Sequence, residues 1–432
     1  MKFALKLITD IARYGVGILF IFSGIVKAND PLGFSYKLEE YFEEFAKLGH
    51  YASFLEPFFH FCKDYALPQA IFIVILEVVL GVAILVRFKA RIVSWLLLLL
   101  ILFFTMLTFA SAYFEIVKTC GCFGDAIPLT AWESFYKDLV LLVLIVIIFL
   151  RQKAISLSET DINDFVLAAI GLGVMFMLSK GLDWYFPFNF LLATFALFFG
   201  IRLVEHIKAP MYVTALSFLA MGFFSFYTYS YLPVKDFMAY AEGKSISEQM
   251  QGIPDKLKYF YILKNKTTGQ NEEFEKFPEN YQETYEYVDS RTEVTEKGVE
   301  AKILDFAIMT ADGEDLTEDF LGSDTYTFFA ISYDLDLSLL QVQPRLNELA
   351  TAVQAEGHRF VGLTATVPDK ALAFTQANNS TYNFLFCDQI VLKTIVRSNP
   401  GLLLIKNGII VGKWHANDLP SLEQLRADYL KR

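Results

Sequence analysis

The run IVSWLLLLLILFFTMLTFASAYFEI, residues 92–116, contains a single charged residue and is rich in leucine and phenylalanine. A helix needs about 20 mostly apolar residues to cross the hydrocarbon core of a bilayer, so this stretch predicts a transmembrane helix. Further stretches of the same character lie at roughly 8–26, 68–86, 134–150, 163–181, 187–204 and 210–231. The predicted fold class is a multi-pass α-helical membrane bundle of about seven spans, followed by a soluble region.

Composition divides the chain into two parts at about residue 231. Hydrophobic residues make up 54 % of the chain and the mean hydropathy is +0.40, which exceeds the usual content of soluble proteins. Of the net charge of −11, residues 1–231 carry −1 and residues 232–432 carry −10. The first part is expected to partner the lipid bilayer. The acidic second part argues against nucleic acid as a partner, because phosphate contacts need clustered Lys and Arg.

Lys and Arg are concentrated in alternate short loops between the predicted spans. Cytoplasmic loops carry such an excess, so the N-terminus is predicted to be cytoplasmic and the region after Tyr231 to lie outside. The first apolar run has no small-residue cleavage site after it and is expected to be a retained span. We therefore expect a bacterial inner-membrane protein with a periplasmic C-terminal domain. The loop cations are Lys2, Lys6, Arg87, Lys89, Arg91, Arg151, Lys153, Arg202 and Lys208.

The stretch TCGCFGDAIP, residues 119–128, places Cys120 and Cys122 one glycine apart on the predicted outer face, where disulfides persist. Gly121 tolerates the unusual dihedral angles that a bond between them requires, and a strained disulfide of this kind is readily reduced. The pair is therefore a candidate catalytic site for thiol–disulfide exchange. Two alternatives stay open: a static disulfide, for example with Cys62, and metal binding, which is weaker because zinc needs about four ligands.

The first outer loop carries Leu38, Tyr41, Phe42 and Phe45 at helical spacing with glutamates between them, which predicts an amphipathic helix on the outer surface. One interpretation is that this helix only covers the ends of the spans. The other is that it forms a lid over a site shared with the CGC loop and Cys62.

Two carboxylates within predicted spans are candidate functional residues. Glu77 lies near the middle of the second and Asp138 early in the fourth. A carboxylate at membrane depth is costly and normally faces the bundle interior or a polar partner. These residues either hold helices together or accept a proton beside a redox site. With Asp125, which ends the motif CGCFGD, they are the predicted supporting residues.

Four stretches carry a family resemblance: RYGVGILFIFSGIVK (13–27), LEVVLGVAIL (76–85), CGCFGD (120–125) and FYKD (135–138). Through them, residues 8–150 resemble the DoxX family, and especially its MauE-like branch of redox-associated membrane proteins. The resemblance implies a four-helix bundle related in outline to the quinone-linked disulfide-forming proteins of the DsbB and VKOR kind. It implies that Cys120 and Cys122 help disulfides form in a periplasmic partner. A quinone is left open as a cofactor, although the chain has no membrane-embedded CxxC to pass electrons to it.

In the soluble part, buried strand patterns alternate with a helical pattern and end in GLLLIKNGIIVGKW, a predicted hairpin with its turn at Asn407-Gly408. Such alternation indicates an α/β domain. DFAIMTADGEDLTEDF, residues 305–320, predicts two short strands around a DG turn, and Cys387 is expected to be a buried core residue.

DFAIMTADGEDLTEDF and SNPGLLLIKNG (398–408) resemble thioredoxin-like domains of the peroxiredoxin and TlpA type. The resemblance implies a cis peptide bond at Pro400. It places the family's CxxC at Tyr333–Asp336, where both cysteines are absent, so the domain is expected to be redox-inactive. Peptide docking by strand addition would survive that loss. The predicted partner-binding residues for a periplasmic or cell-envelope protein are Tyr333, Asp336, Arg397, Asn399 and Pro400.

Four regions follow: a DoxX/MauE-like bundle at 1–155, three further spans at 156–231, a β-rich linker at 232–300 and a thioredoxin-like domain at 301–432. Two functions compete. The first is a thiol–disulfide oxidoreductase that acts through the CGC pair, with the thioredoxin-like domain as its docking module. The second is a non-enzymatic scaffold or accessory subunit of a cell-envelope complex with a structural disulfide.

Overall fold

The computed structural model describes residues 2–47, 55–115, 119–157, 162–205, 208–252, 254–279, 281–298 and 301–430. The chain divides into two compact units. The first comprises Met1–Met238 together with Val396–Gly401 and Trp414–Leu419. The second comprises Ala239–Ile395, Leu402–Lys413 and Pro420–Arg432.

The first unit is helical. Seven of its described helices are long and apolar enough to cross a membrane, which confirms the predicted number of spans; α2 and α3 are the shorter helices between the first two. A two-stranded ladder, β1 and β2, lies between α5 and α6. The bounds are α1 Lys2–Asn29, α2 Pro31–Lys47, α3 Leu55–Asp64, α4 Ala66–Leu85, α5 Ala90–Phe114, β1 Thr119–Cys120, β2 Leu129–Thr130, α6 Ala131–Leu157, α7 Ile162–Gly181, α8 Phe186–Val204 and α9 Ala209–Ser230.

Helix α1 is the central helix of the unit and is buried along most of its length. It approaches α4 closely through glycines in both. A methyl group at Gly17 would lie 2.5 Å from Leu85 Cγ, and one at Gly81 would lie 2.8 Å from the Gly17 carbonyl oxygen. Small residues allow membrane helices to pack at such short range. Gly17 and Gly24 in α1 and Gly81 in α4 therefore all serve the contact between these two helices.

A buried charge network, the Arg13 cluster, consists of Asp10, Arg13, Arg87 and Asp164. The Arg13 guanidinium is fully buried and donates to the Asp164 carboxylate and to the Leu85 carbonyl oxygen. Arg13 Nη2 lies 3.2 Å from Asp10 Oδ1, and Arg87 Nη2 lies 2.8 Å from Asp164 Oδ2. Breaking a buried ion pair is strongly destabilising. The cluster therefore fixes α1, the α4–α5 turn and α7 to one another.

Helix α2 is amphipathic, as predicted. Leu38, Tyr41, Phe42 and Phe45 are all buried. They pack on α3 and on residues of α4 and α5, such as Ala66, Ala70 and Leu107. The apolar stripe therefore faces protein, and the glutamates of α2 lie on its more exposed side.

The second unit contains two sheets. Its five-stranded sheet has the order β10-β9-β6-β7-β8, with β7 parallel to both β6 and β8. Its three-stranded antiparallel sheet has the order β4-β3-β5. The strands are β3 Lys256–Asn265, β4 Asn271–Phe274, β5 Tyr285–Glu296, β6 Thr327–Ile331, β7 Arg359–Thr364, β8 Phe384–Phe386, β9 Gly401–Lys406 and β10 Ile409–His415. The helices are α10 Ile246–Met250, α11 Tyr281–Thr284, α12 Thr317–Leu321, α13 Gln343–Ala355, α14 Pro368–Ala377, α15 Gln389–Ile395 and α16 Leu422–Asp428.

The hairpin turn between β9 and β10 is confirmed. Asn407 and Gly408 both have positive φ, 50° and 69°, as a type I′ turn requires. The two strands expected in residues 305–320 were wrong. Met309 and Asp315 form an isolated bridge, and Thr317–Leu321 is helix α12. The Asp315 side chain accepts from Thr317 N, 2.8 Å, and so favours the first turn of a helix over a strand.

Candidate functional site

The CGC loop, residues 119–130, is closed by a short ladder. Thr119 pairs with Thr130 and Cys120 with Leu129, and Gly121–Phe123 forms one turn of 3-10 helix. The ladder fixes the backbone of Cys120, and the 3-10 turn fixes that of Cys122. The side chains of Cys120 and Cys122 lie outside the described part of the structure, so their pairing and their chemistry stay predictions.

Phe123 anchors the loop on the bundle. Its ring is buried, with its centroid 5.6 Å from that of Phe22 in α1. The Lys137 ammonium lies 5.2 Å from the Phe123 ring centroid, within cation–π range. The loop is therefore seated on α1 and α6 immediately after its two cysteines.

Glu77 forms a buried ion pair with Lys27. Lys27 Nζ lies 2.6 Å from Glu77 Oε2, and the two side chains are 3 % and 4 % exposed. The ammonium also lies 4.5 Å from the Phe104 ring centroid. The end of α1 is therefore joined to α4 by a buried ion pair.

Asp138 is the second buried carboxylate. Lys137 Nζ lies 2.7 Å from Asp138 Oδ1, and the Thr108 hydroxyl donates to Asp138 Oδ2 at 3.0 Å. The Asp138 side chain is 1 % exposed and that of Lys137 is 22 % exposed. Asp138 therefore lies in the bundle interior, and Lys137 lies nearer the bundle edge. We call Lys27, Glu77, Lys137 and Asp138 the Lys27 cluster.

The Lys27 cluster lines a cavity of about 20 Å³ that Phe123 of the CGC loop also lines. This volume admits about one water molecule. A second cavity of about 20 Å³ is lined by Lys27, Lys37 and Gly121. Lys27 thus lies on the walls of two cavities, and each also has a CGC-loop residue in its wall.

Helix α2 brings a third lysine to the loop. A methyl group at Gly121 would lie 3.4 Å from Lys37 Cγ, so the backbone between the two cysteines rests against the Lys37 stem. Lys27, Lys37 and Lys137 bring three cations near the loop. Each is paired with a carboxylate, namely Glu77, Glu40 and Asp138. Cations beside a cysteine favour its thiolate. The arrangement is suited to a reactive thiol in this loop.

Asp125, the predicted supporting residue at the end of the motif, is half exposed. Its carboxylate lies 3.6 Å from Arg397 Nη2. Arg397 belongs to the cis-proline loop, residues 396–401, which the structure places in the first unit. The cis peptide bond between Asn399 and Pro400 is confirmed.

The predicted partner-binding residues fall in different units. Arg397, Asn399 and Pro400 belong to the first, whereas Tyr333 and Asp336 belong to the second. Asp336 pairs with Lys370 at 2.6 Å, and Lys393 Nζ lies 5.5 Å from the Tyr333 ring centroid.

Cys62 and Cys387 are free thiols and both are buried. Cys62 lies in α3 and packs among apolar residues of α2 and α4. Burial raises the pKa of the Cys62 thiol, and it raises that of Cys387 to about 12. Such thiols are poor nucleophiles. Among the described residues, no group of three or more His, Cys, Asp and Glu side chains is placed to hold a metal ion.

Sequence reasoning missed the lysines that pair with the two carboxylates. Lys27 is the last residue of the stretch 13–27, and Glu77 lies near the start of 76–85. Opposite charges at the ends of two apolar stretches were a usable signal. Lys137 lies inside the quoted FYKD, where its neighbour Asp138 drew attention first. The contact of Arg397 with Asp30 had no sequence signal, because the two are separated by 367 positions.

These features define a multi-pass helical membrane protein with an attached α/β domain. Residues 5–151 match the family described as methylamine utilisation protein MauE, so the match covers the first four spans. No curated protein matches the chain.

Among solved structures, one match is a solution structure described as a candidate protein disulfide isomerase from Bacteroides thetaiotaomicron. It has 17 % sequence identity and covers 28 % of this chain and 80 % of that one, with a TM-score of 0.23. A TM-score this low does not establish a shared fold.

Proposed function

We propose that this protein is an inner-membrane redox-associated protein that exchanges disulfides with a cell-envelope client through Cys120 and Cys122. The observation that carries the proposal is the position of the CGC loop, which is seated by Phe123 on a water-sized cavity lined by two buried lysine–carboxylate pairs. The MauE match over residues 5–151 supports it. Buried charges inside a membrane bundle commonly mark functional sites.

The proposed step begins with a Cys120–Cys122 disulfide and a client dithiol. A client thiolate attacks one sulfur of the pair, which forms a mixed disulfide and releases the other cysteine as a thiolate. The second client thiolate then attacks the client sulfur of that mixed disulfide. The client ends with a disulfide and the CGC pair with two thiols, so two electrons and two protons pass from client to protein. The reverse sequence reduces a client.

The lysines and carboxylates have separate roles in this step. Positive charge from Lys27, Lys37 and Lys137 stabilises the cysteine thiolate that leaves. Glu77 and Asp138 border the cavity beside the loop and serve as proton acceptors. We place the CGC loop on the periplasmic face, because the loop cations favour a cytoplasmic N-terminus.

Thiol trapping in intact cells tests the proposal. Cells are acid-quenched and alkylated before and after reduction, and Cys62, Cys120, Cys122 and Cys387 are mapped by mass spectrometry. We expect a mixed population of oxidised and reduced CGC pairs that shifts when cells are starved of oxidant. In Cys62→Ser we expect the same shift, because Cys62 is a buried free thiol.

The scaffold is the second candidate function. The absence of both cysteines at Tyr333–Asp336 favours it, because the α/β domain then has no exchange chemistry of its own. Fully oxidised CGC cysteines that never shift, or a fixed bridge from either of them to Cys62, would reject exchange and support the scaffold.

A further inference from the structure

The cis-proline loop, residues 396–401, makes a buried polar contact through Arg397. The Arg397 side chain is 5 % exposed. Its Nε lies 3.1 Å and 2.9 Å from the two carboxylate oxygens of Asp30, and its Nη2 lies 3.6 Å from Asp125 Oδ2. One buried guanidinium therefore connects the residue before α2 with the residue that ends the CGCFGD motif.

Asp30 also accepts a hydrogen bond that links this contact to α2. Its Oδ1 accepts from the Gly33 backbone N–H at 2.8 Å, which caps the first turn of the helix. Gly33 leaves room for the ion pair, because a methyl group there would lie 2.3 Å from Asp30 Oδ2 and 2.8 Å from Arg397 Nη2. The ring of Tyr36 lies 5.5 Å from the Arg397 guanidinium carbon. The start of α2 is thus built around this arginine.

One turn further along, α2 reaches the cysteines. Lys37 follows Tyr36, and its stem rests against Gly121. Arg397 therefore acts on the CGC loop by two routes, directly through Asp125 and indirectly through Asp30 and α2. Both routes lie within the first unit.

We propose that Arg397 is a positioning residue that holds the CGC loop and Lys37 in register, and that the cis-proline loop is occupied by this chain's own α2 and CGC loop. For its consequence on thiol reactivity this inference rests on the proposed function. The cis-proline loop then holds α2 and the CGC loop together, and we call these contacts of Arg397 the clasp. Arg397 sets the position of the CGC loop that a client would contact.

Loss of the guanidinium would leave the Asp30 carboxylate, 19 % exposed, without its cation. The CGC loop would lose one ionic contact, and Lys37 would be less firmly held against Gly121. The reduced cysteines should then be more accessible, and their thiolates less stabilised by positive charge.

The test measures alkylation of reduced, purified full-length protein in detergent, without any client. Rates at Cys120 and Cys122 are followed by mass spectrometry across pH. We expect Arg397→Gln to speed alkylation at high pH about tenfold, since hydrogen bonds to charged groups are the stronger ones. We also expect the apparent thiol pKa to rise as Lys37 moves away. Arg397→Lys should restore part of the wild-type profile.

A second variant reaches the same contact from the other side. Gly33→Ala should displace the Asp30–Arg397 pair and reproduce both changes, whereas Gly173→Ala, in open space, should not. Arg426→Gln is the matched arginine control, because Arg426 pairs with Glu356 and is 55 % exposed. Cys62 reports unfolding of the first unit, which contains both variants, and Cys387 reports unfolding of the second, since each buried thiol should react only where its unit has unfolded.

The clasp would be overturned if Arg397→Gln and Gly33→Ala both left the alkylation rates within twofold of wild type and the apparent thiol pKa unchanged. If either variant exposes Cys62 or Cys387, Asp125→Asn is measured instead, because it removes the 3.6 Å contact with Arg397 Nη2 and leaves Asp30 in place; a wild-type profile in that variant would also overturn the clasp. Failure of exchange in cells would leave these results untouched, because the alkylation assay needs no exchange partner.

Discussion

The Arg13 cluster and the Lys27 cluster lie towards opposite ends of α1, about 21 Å apart by the rise of a helix. Both consist of two cations and two carboxylates buried in a membrane bundle. In the Arg13 cluster the guanidinium is fully buried and bonded to Asp10, Asp164 and a carbonyl. In the Lys27 cluster the pairs line a water-sized cavity beside the CGC loop. Under the proposed function, similar charges serve structure where they are fully paired and take part in chemistry where they border a cavity beside the CGC loop.

Asp164→Asn should give the largest effect on stability. It leaves Arg13 and Arg87 with Asp10 as their remaining carboxylate, and removal of one partner of a buried pair costs about 3–5 kcal/mol. Thermal unfolding of the purified protein measures the loss. Asp183→Asn, whose side chain is 88 % exposed and pairs with Lys235, should change little. A wild-type unfolding temperature in Asp164→Asn would show that the Arg13 cluster is not structural.

Glu77→Gln tests whether the Lys27 cluster, unlike the Arg13 cluster, affects the pKa of the CGC thiols. It leaves Lys27 positive and unopposed in the wall of both cavities, so the apparent pKa of the CGC thiols should fall, on the order of half a unit. The pH dependence of alkylation measures this shift. Asp164→Asn serves as the cross-control and should leave the thiol pKa unchanged. Equal thiol shifts in the two variants would remove the functional distinction between the clusters.

The pH dependence of the free energy of unfolding tests a buried group outside both clusters, His415. Burial lowers the pKa of its imidazole below the ordinary value of 6.5, and its Nδ1 accepts from Asn417 N. The neutral ring is favoured in the folded state, so its contribution is fully present above about pH 6.5. It is lost as pH falls from there through the lower folded-state pKa. His415→Gln should flatten this acid slope in unfolding experiments, and an unchanged slope would assign it to other groups.

Cys62→Ser should have the smallest effect. The thiol is buried among apolar residues, so a hydroxyl there costs about 1 kcal/mol. The alkylation profile of the CGC thiols should match wild type. A changed profile would mean that α3 participates in the site and would extend the Lys27 cluster towards Cys62.

Local patterns in the sequence predicted much of the fold. The spans, the apolar stripe of α2 and the Asn407-Gly408 turn each depend on residues close in sequence, where periodicity or turn chemistry is decisive. The strands expected around Gly313 were wrong, because helix α12 begins at Thr317, whose backbone N–H donates to the Asp315 side chain.

The site was harder to predict from the sequence, because many of its contacts join residues that lie far apart in the chain. Glu77 stood out in an apolar stretch, but its partner Lys27 depends on how α1 and α4 pack. Arg87 shows the same limit. As a loop cation it contributed to the predicted orientation, yet its side chain is 9 % exposed and paired with Asp164. Its charge is therefore largely offset in the folded protein.

The separation of these partners along the chain has a consequence for biogenesis. Helix α1 is made first, and Arg13 meets Asp164 only after a further 151 residues have been added. Until then Asp10, on the same helix, is the carboxylate available to it. Lys27 likewise cannot pair with Glu77 until α4 has been made. Since uncompensated charges are costly in a bilayer, α1 is held in the membrane less securely during synthesis than in the finished protein. Its stable insertion is completed by helices that follow it out of the ribosome.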